Sequence, residues 1–169
     1  DDYVWEEDGK LHIEGGKETV IRCYPKLKDF SVLPDGFEAC GLDHEFTLYR
    51  RREKAEDTRV TVTEGTVGED SRIYNLKITS PETWRDTILS LDFGGDKIEL
   101  FRDGEMLTDS YYTGEPVQIS LRYFDFPQEL QVKIYPLKED APRFLERWPQ
   151  MKDGCACELY GVGVKNLVW

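Results

Sequence analysis

Six side chains near the middle of the chain are of the types that recognise sugars. Trp84, Tyr111 and Tyr112 offer flat apolar faces that can stack on the carbon side of a pyranose ring. Beside them, Arg85, Asp109 and Glu115 carry hydrogen-bonding groups for its hydroxyls. No other constellation in the chain is as well composed for recognition. A plainer role competes with it. Successive residues of a strand face opposite ways, so one of Tyr111 and Tyr112 should be core. Trp5, Trp148 and Trp169 stand near segment ends, where they could equally anchor a neighbouring domain.

Catalysis has no comparable signature. Glycoside hydrolysis needs two carboxylates at a set separation across the sugar. Pairs such as Glu6 and Glu7, or Asp43 and Glu45, are expected by chance among 34 acidic residues, and no spacing selects one. Cys40-Gly41-Leu42-Asp43-His44 and Asp153-Gly154-Cys155-Ala156-Cys157-Glu158 each bring metal-ligating types together. Structural zinc requires two such pairs at a spacing of about two to four residues, which Cys-x-Cys with His12 and His44 does not supply. Asp92, Asp96, Asp103 and Asp109 could give oxygens to a structural calcium, although no bounded loop frames them. No other cofactor is implied. Cys23 and Cys40 could pair if their strands are adjacent, while packed free thiols are the default for all four cysteines.

Composition narrows the partners. The 169 residues suit one domain and can bury a core. The formal net charge is −12, with 22 basic side chains against the acids, so phosphate backbones and anionic membranes are repelled. No apolar run is long enough to cross a bilayer as a helix. Neutral partners, or cations, fit that field. The opening Asp1-Asp2-Tyr3-Val4-Trp5 has neither an initiator Met nor a signal pattern, and reads as the start of a mature chain or of a piece of a longer one.

The elements that would position these groups are strands. Leu11–Ile13 and Thr19–Tyr24 flank Gly15-Gly16, which predicts a hairpin. Pro25–Gly36 is a connection. Phe37–Cys40 and Glu45–Arg50 follow as strands, and the charge run Arg50–Asp57 reads as an exposed turn. Arg59–Thr63 alternates and is β-branched. In Ser71–Thr79, Tyr74, Leu76 and Ile78 share a face, as do Leu89, Leu91 and Phe93, and Ile98 with Leu100. Gly94-Gly95-Asp96 marks a turn, Asp103-Gly104 a tight hairpin, and Thr113–Pro116 a corner. Val117, Ile119, Leu121 and Tyr123 form one face of a strand. Leu130–Ile134 and Leu159–Trp169 add two more. Asp140–Trp148 is the one good helix start, with Asp140 as cap, Pro142 in the first turn and Pro149 as stop. Many short strands with Gly and Pro turns and one short helix predict an all-β, antiparallel β-sandwich, residues 1–169 forming a single domain, with a jelly roll as the usual solution.

The stretch Trp84–Leu137 also resembles a known family. Leu89–Phe93 runs into Gly95-Asp96, Ile98–Arg102 ends in Asp103-Gly104, and Asp109-Ser110-Tyr111-Tyr112 returns to Gly114-Glu115-Pro116 and Val117–Leu121. This succession resembles the galactose-binding-like jelly-roll accessory domains found beyond the catalytic barrel of family 35 β-galactosidases and related glycoside hydrolases. Ile134-Tyr135-Pro136-Leu137 and Ala141-Pro142 fit the same setting. Val117 departs from it, since an aromatic residue often follows the corner proline there. Residues 1–82 show no such likeness.

The resemblance implies a non-catalytic module that binds or positions a neutral glycan or galactoside within an extracellular or periplasmic carbohydrate-processing system. It implies Trp84, Arg85, Asp109, Tyr111, Tyr112 and Glu115 as the binding residues, and a catalytic domain of the same or another chain as neighbour. The alternatives are a structural interaction domain that braces a catalytic domain without a ligand of its own, and a small stand-alone glycan hydrolase.

Overall fold

The structure, a computed structural model, describes residues 3–68, 70–81 and 84–168. The packing gathers the chain into two compact units. One comprises Asp1–Glu56, Pro81–Asp86 and Asn166–Trp169, and the other Asp57–Ser80 and Thr87–Lys165.

In the first unit, β1 (Tyr3–Glu7) and β2 (Lys10–Glu14) form an antiparallel hairpin. Its turn is Asp8-Gly9, with φ of 52° and 73°, the left-handed pair that a two-residue hairpin demands. The hairpin expected at Gly15-Gly16 does not form. Neither glycine adopts a positive φ, and Gly15 instead bridges to Val168. The strands β3 (Glu18–Cys23), β4 (Glu38–Asp43) and β5 (Phe46–Arg52) make a sheet in the order β3-β5-β4. Ile13, Leu33 and Tyr49 are its buried centre, with Leu11, Ile21, Leu27 and Phe37 packed around them. Cys23 and Cys40 lie on strands separated by β5, and all four cysteines are free.

The arginine run is not the exposed turn expected of it. Arg50, Arg51 and Arg52 belong to β5, where Arg51 alternates inward with Thr47 and Tyr49. The Arg51 guanidinium lies 5.1 Å from the centre of the Phe37 ring and donates to the Ile13 carbonyl at 3.4 Å. Burial lowers its pKa, with the nearby Glu53 charge opposing. Arg50 and Arg52 face outward to Glu18. Alternation overrode charge, because the neighbouring strands fix which side of β5 points inward.

The second unit is an antiparallel β-sandwich, as the alternation predicts. Its strands are β6 (Arg59–Val67), β7 (Arg72–Thr79), β8 (Asp86–Gly94), β9 (Lys97–Arg102), β10 (Glu105–Tyr111), β11 (Val117–Ser120), β12 (Glu129–Tyr135), β13 (Leu137–Lys138), β14 (Cys155–Ala156) and β15 (Glu158–Leu167). A five-stranded sheet in the order β10-β9-β12-β7-β6 faces a three-stranded one, β11-β8-β15. Tyr74, Leu76, Ile78, Ile98, Leu100, Leu130, Val132 and Ile134 of the first meet Leu89, Leu91, Phe93 and Ile119 of the second in one buried cluster. These are the faces read from the sequence. Asp103-Gly104 forms the expected hairpin, with φ of 52° and 84°.

Two of the connections that carry the chain between the sheets are tight corners. Gly94-Gly95-Asp96 links β8 to β9, and residues 112–116 link β10 to β11. At the first corner glycine is needed for closeness rather than for φ. A Cβ on Gly95 would lie 2.6 Å from Ile134 Cγ2 and 2.7 Å from the Tyr135 carbonyl oxygen, and one on Gly94 would run into the Tyr160 hydroxyl.

Two local expectations fail here. The strand beginning at Val117 stops at Ser120, and Leu121–Phe124 turns as a 3-10 helix that leaves Tyr123 exposed. The helix expected over Asp140–Trp148 is an irregular loop. A segment this short between two prolines gains too few hydrogen bonds to repay nucleation. Its arginines are instead held by carboxylates on both corners, Arg143 by Asp96 and Arg147 by Glu115.

Replacing Gly95 with Ala should destabilise the second unit by about 1–3 kcal/mol, as overpacking does. Gly161, with no atom within 4 Å of a would-be Cβ, is the control, and its replacement should stay within about 0.5 kcal/mol of wild type in the same urea titration.

Candidate binding face

The residues of the five-stranded sheet that do not enter the core form a solvent-facing surface, and cross-strand register sets which of them are neighbours. Lys97 stands opposite both Tyr111 and Tyr135. One step along, Glu99 is opposite Asp109 and Lys133. Next, Gln131 stands between Phe101 and Asn75, and Asn75 opposite Thr63. Lys77 follows, between Glu129 and Thr61. All of these point away from the buried cluster because their strand neighbours point into it.

The face has a charged end. Glu99 is buried although it lies on the outer side, under Lys97 and Tyr135. Lys97 Nζ is 2.6 Å from one carboxylate oxygen, and the Tyr135 hydroxyl donates to the other at 2.8 Å. Burial pushes the Glu99 carboxyl upward, but these two hydrogen bonds, with the charges of Lys97 and Lys133, leave it below its usual value. The bond to Glu99 raises Lys97 in turn. The ammonium groups of Lys97 and Lys133 lie 4.9 and 4.8 Å from the centre of the Tyr135 ring.

The other end of the face is a groove of about 440 Å³, lined by Thr61, Thr63, Asn75, Phe101, Asp103 and Gln131 together with Lys77 and Glu129. Gln131 donates to the Asn75 side-chain carbonyl at 3.3 Å, which fixes both amides side by side. An aromatic ring, two amides, two hydroxyls and two carboxylates around an open trough can stack on an apolar ring face and bond several hydroxyls at once.

The six residues singled out from sequence do not all join this face. Trp84 is 4% exposed, and its indole N–H donates to the Glu56 carbonyl at 3.1 Å. Arg85 pairs with Glu14, and its backbone N–H donates to Leu167 at 2.9 Å. Both belong to the first unit and serve its framework, so the stacking face expected of Trp84 is spent on packing. Tyr112 is half-buried, edge-on to Phe93 with ring centres 5.6 Å apart, and burial raises its hydroxyl pKa. Tyr111 is 55% exposed, so the predicted division of the tyrosine pair into one core and one surface ring is what the fold adopts. The Arg143 guanidinium lies 5.2 Å from the Tyr111 ring centre while its Nε is 3.0 Å from Asp96 Oδ1. Glu115 sits in the β10–β11 corner, 2.8 Å from Arg147. Asp109 stays exposed beside Glu99.

Carboxylate and metal candidates resolve in the same way. Asp43 is held by Arg22 at 2.6 Å and His44 at 2.9 Å, and Glu6 and Glu7 are successive residues of the exposed strand β1. Among the described residues no three His, Cys, Asp or Glu side chains converge, Asp92, Asp96, Asp103 and Asp109 included. Burial raises the Cys23 and Cys157 thiols, and Cys157 donates to the Ile134 carbonyl at 3.3 Å. All four cysteines are free, half-buried thiols.

Phe101, Gln131, Asn75, Lys97, Glu99 and Tyr135 were not singled out from sequence. Their signal was the polar half of each alternating strand, which becomes a surface only once β9, β12 and β7 are known to be neighbours. Fold and face together define an antiparallel β-sandwich with an open, mixed polar and aromatic sheet surface. No family model matches the chain, and no curated protein or solved structure matches it.

Two outcomes follow from this geometry. Because the folded pKa of Glu99 is lowered, its contribution to stability is complete above the unfolded pKa of about 4.3 and is lost as pH falls through the folded value. Tyr135→Phe removes one donor, so the Glu99 pKa should move up, read by carboxyl-carbon NMR titration. Trp84→Ala should cost about 3–5 kcal/mol in chemical unfolding, as loss of a buried indole does.

Proposed function

We propose that this chain is a non-catalytic carbohydrate-binding module that lays a neutral glycan across the open face of the five-stranded sheet. The observation that carries the reading is the groove beside the Asp103-Gly104 turn. There the Phe101 ring, the joined amides of Asn75 and Gln131, and the hydroxyls of Thr61 and Thr63 converge. Neutral ligands suit it because the cation lining the groove, Lys77, stands with the carboxylates of Asp103 and Glu129, and the chain as a whole carries −12. The likeness of residues 84–137 to galactose-binding-like jelly-roll domains supports galactosides as the first sugars to try. It also supports an extracellular or periplasmic glycoside hydrolase as the setting, with a catalytic domain as neighbour.

A second reading, an interaction domain that braces a catalytic domain, is favoured by one observation. Tyr3, Val4 and Trp5 are all exposed on β1, with Trp5 stacked on His12 at 5.2 Å. Trp169, the other terminal anchor considered, lies outside the described residues.

Calorimetric titration with neutral oligosaccharides, galactosides included, tests the first reading. Wild type should bind, and Phe101→Ala and Gln131→Ala should each weaken binding about tenfold or more, the equivalent of about 1.4 kcal/mol. Trp84→Ala, measured under conditions where it stays folded, should bind as wild type does. Absence of binding by wild type across galactosides and neutral plant and host glycans would overturn the reading and leave the bracing role.

A further inference from the structure

The two sheets of the sandwich differ in width, and the difference leaves one edge of the wider sheet uncovered. β6 is the terminal strand of the five-stranded sheet. Val60 and Val62 stand opposite Ile78 and Leu76 and therefore face the inner side, yet Val62 is 41% exposed. The other edge of this sheet is guarded in the ways edges usually are. There β10 has a bulge between Met106 and Thr108 and carries Glu105 and Asp109. β6 pairs regularly with β7 from Arg59 to Glu64 and is irregular only beyond that, between Glu64 and Val67. From Val60 to Thr63 it has no charge, no proline and no bulge.

We propose that β6 is a self-pairing edge through which a second copy of this chain adds antiparallel, joining two five-stranded sheets edge to edge. The occupant follows from the sequence of the strand. A two-fold axis perpendicular to the sheet keeps corresponding faces on the same side, so opposed residues must match in parity. Centred on Thr61, this places Thr61 against Thr61 of the second copy and Arg59 against Thr63 on the outer face. On the inner face it places Val60 against Val62, and Val62 against Val60. β-branched and Thr–Thr cross-strand pairs are favourable, and no like charges meet. The exposed inner face of Val62 gains an apolar neighbour, and the pairing ends before the bulge. With the axis perpendicular to the sheet, both outer faces look the same way. A bivalent glycan surface would follow from that, a consequence that rests on the proposed function, whereas the pairing does not.

Sedimentation velocity across a concentration series reads the pairing directly. Wild type should shift from the monomer to twice its mass as concentration rises. Val62→Lys, which puts a charge on the inner side of the edge, should stay monomeric while keeping the circular-dichroism spectrum of wild type and a melting curve that no longer depends on concentration. Thr61→Cys should give a disulfide-linked dimer on a non-reducing gel under oxidation that leaves wild type, with its four native thiols, uncrosslinked. A wild type that remains monomeric at its highest soluble concentration overturns the proposal. So does a Val62→Lys variant that dimerises like wild type. Failure of Thr61→Cys to crosslink while wild type dimerises overturns the stated pairing. Sugar titration of Val62→Lys keeps this result separate from the glycan reading, since that variant retains every groove residue and reads glycan binding in the monomer alone.

Discussion

Leu89, Leu91 and Phe93 of β8 are the contact on which the second unit depends. β8 is the middle strand of the narrow sheet, and these side chains press on the apolar face that β7, β9 and β12 build opposite. Each fully buried aliphatic or aromatic side chain of this kind contributes about 1.5–3 kcal/mol relative to exposure, against a net stability that is small for any domain. Because one face of the wide sheet is committed to that contact, every second residue of its strands is committed to solvent. The candidate binding face is the other side of the same alternation.

The corner after β8 makes the contact possible. Gly94 and Gly95 let the chain leave the narrow sheet and enter the wide one with backbone and side chains of β12 almost touching it. The same corner is a hub of hydrogen bonds. The Asp96 N–H donates to the Tyr135 carbonyl at 2.8 Å, the Tyr112 N–H donates to the Asp96 carbonyl at 3.1 Å, and the Asp96 carboxylate holds Arg143. The loop from Asp140 to Trp148 meets the two corners through that arginine and through Arg147, which pairs with Glu115. Phe144, 91% exposed, lies between these two anchoring points.

The charged end of the face shows how a buried carboxylate is tolerated on a sheet surface. Glu99 is kept ionised because an ammonium and a phenol both donate to it, while Lys133 adds charge from the neighbouring strand. Removing a carboxylate from water is costly unless both its oxygens are satisfied. Here Lys97 and Tyr135 meet that condition, and in doing so they orient the ring that two ammonium groups flank.

Alternation alone determined most of the sandwich. Tyr74, Leu76 and Ile78, Leu89 to Phe93, Ile98 with Leu100, and Leu130 to Ile134 read as buried faces and are buried, since a period of two leaves a strand only one apolar side. The Asp103-Gly104 hairpin was equally legible, because a left-handed pair needs those residue types. Asp8-Gly9 carried the same signal, and the competing Gly15-Gly16 obscured it. Tertiary structure decided what depends on distant segments. Arg51 is inside because β3 and β4 flank β5. Trp84 is buried although a ring beside an arginine looks like a binding pair. Residues 140–148 stay irregular, and carboxylates on two remote corners pair with their arginines. The binding face itself required register, since Phe101, Gln131 and Asn75 are separated along the chain and become neighbours only through the pairing of β9, β12 and β7.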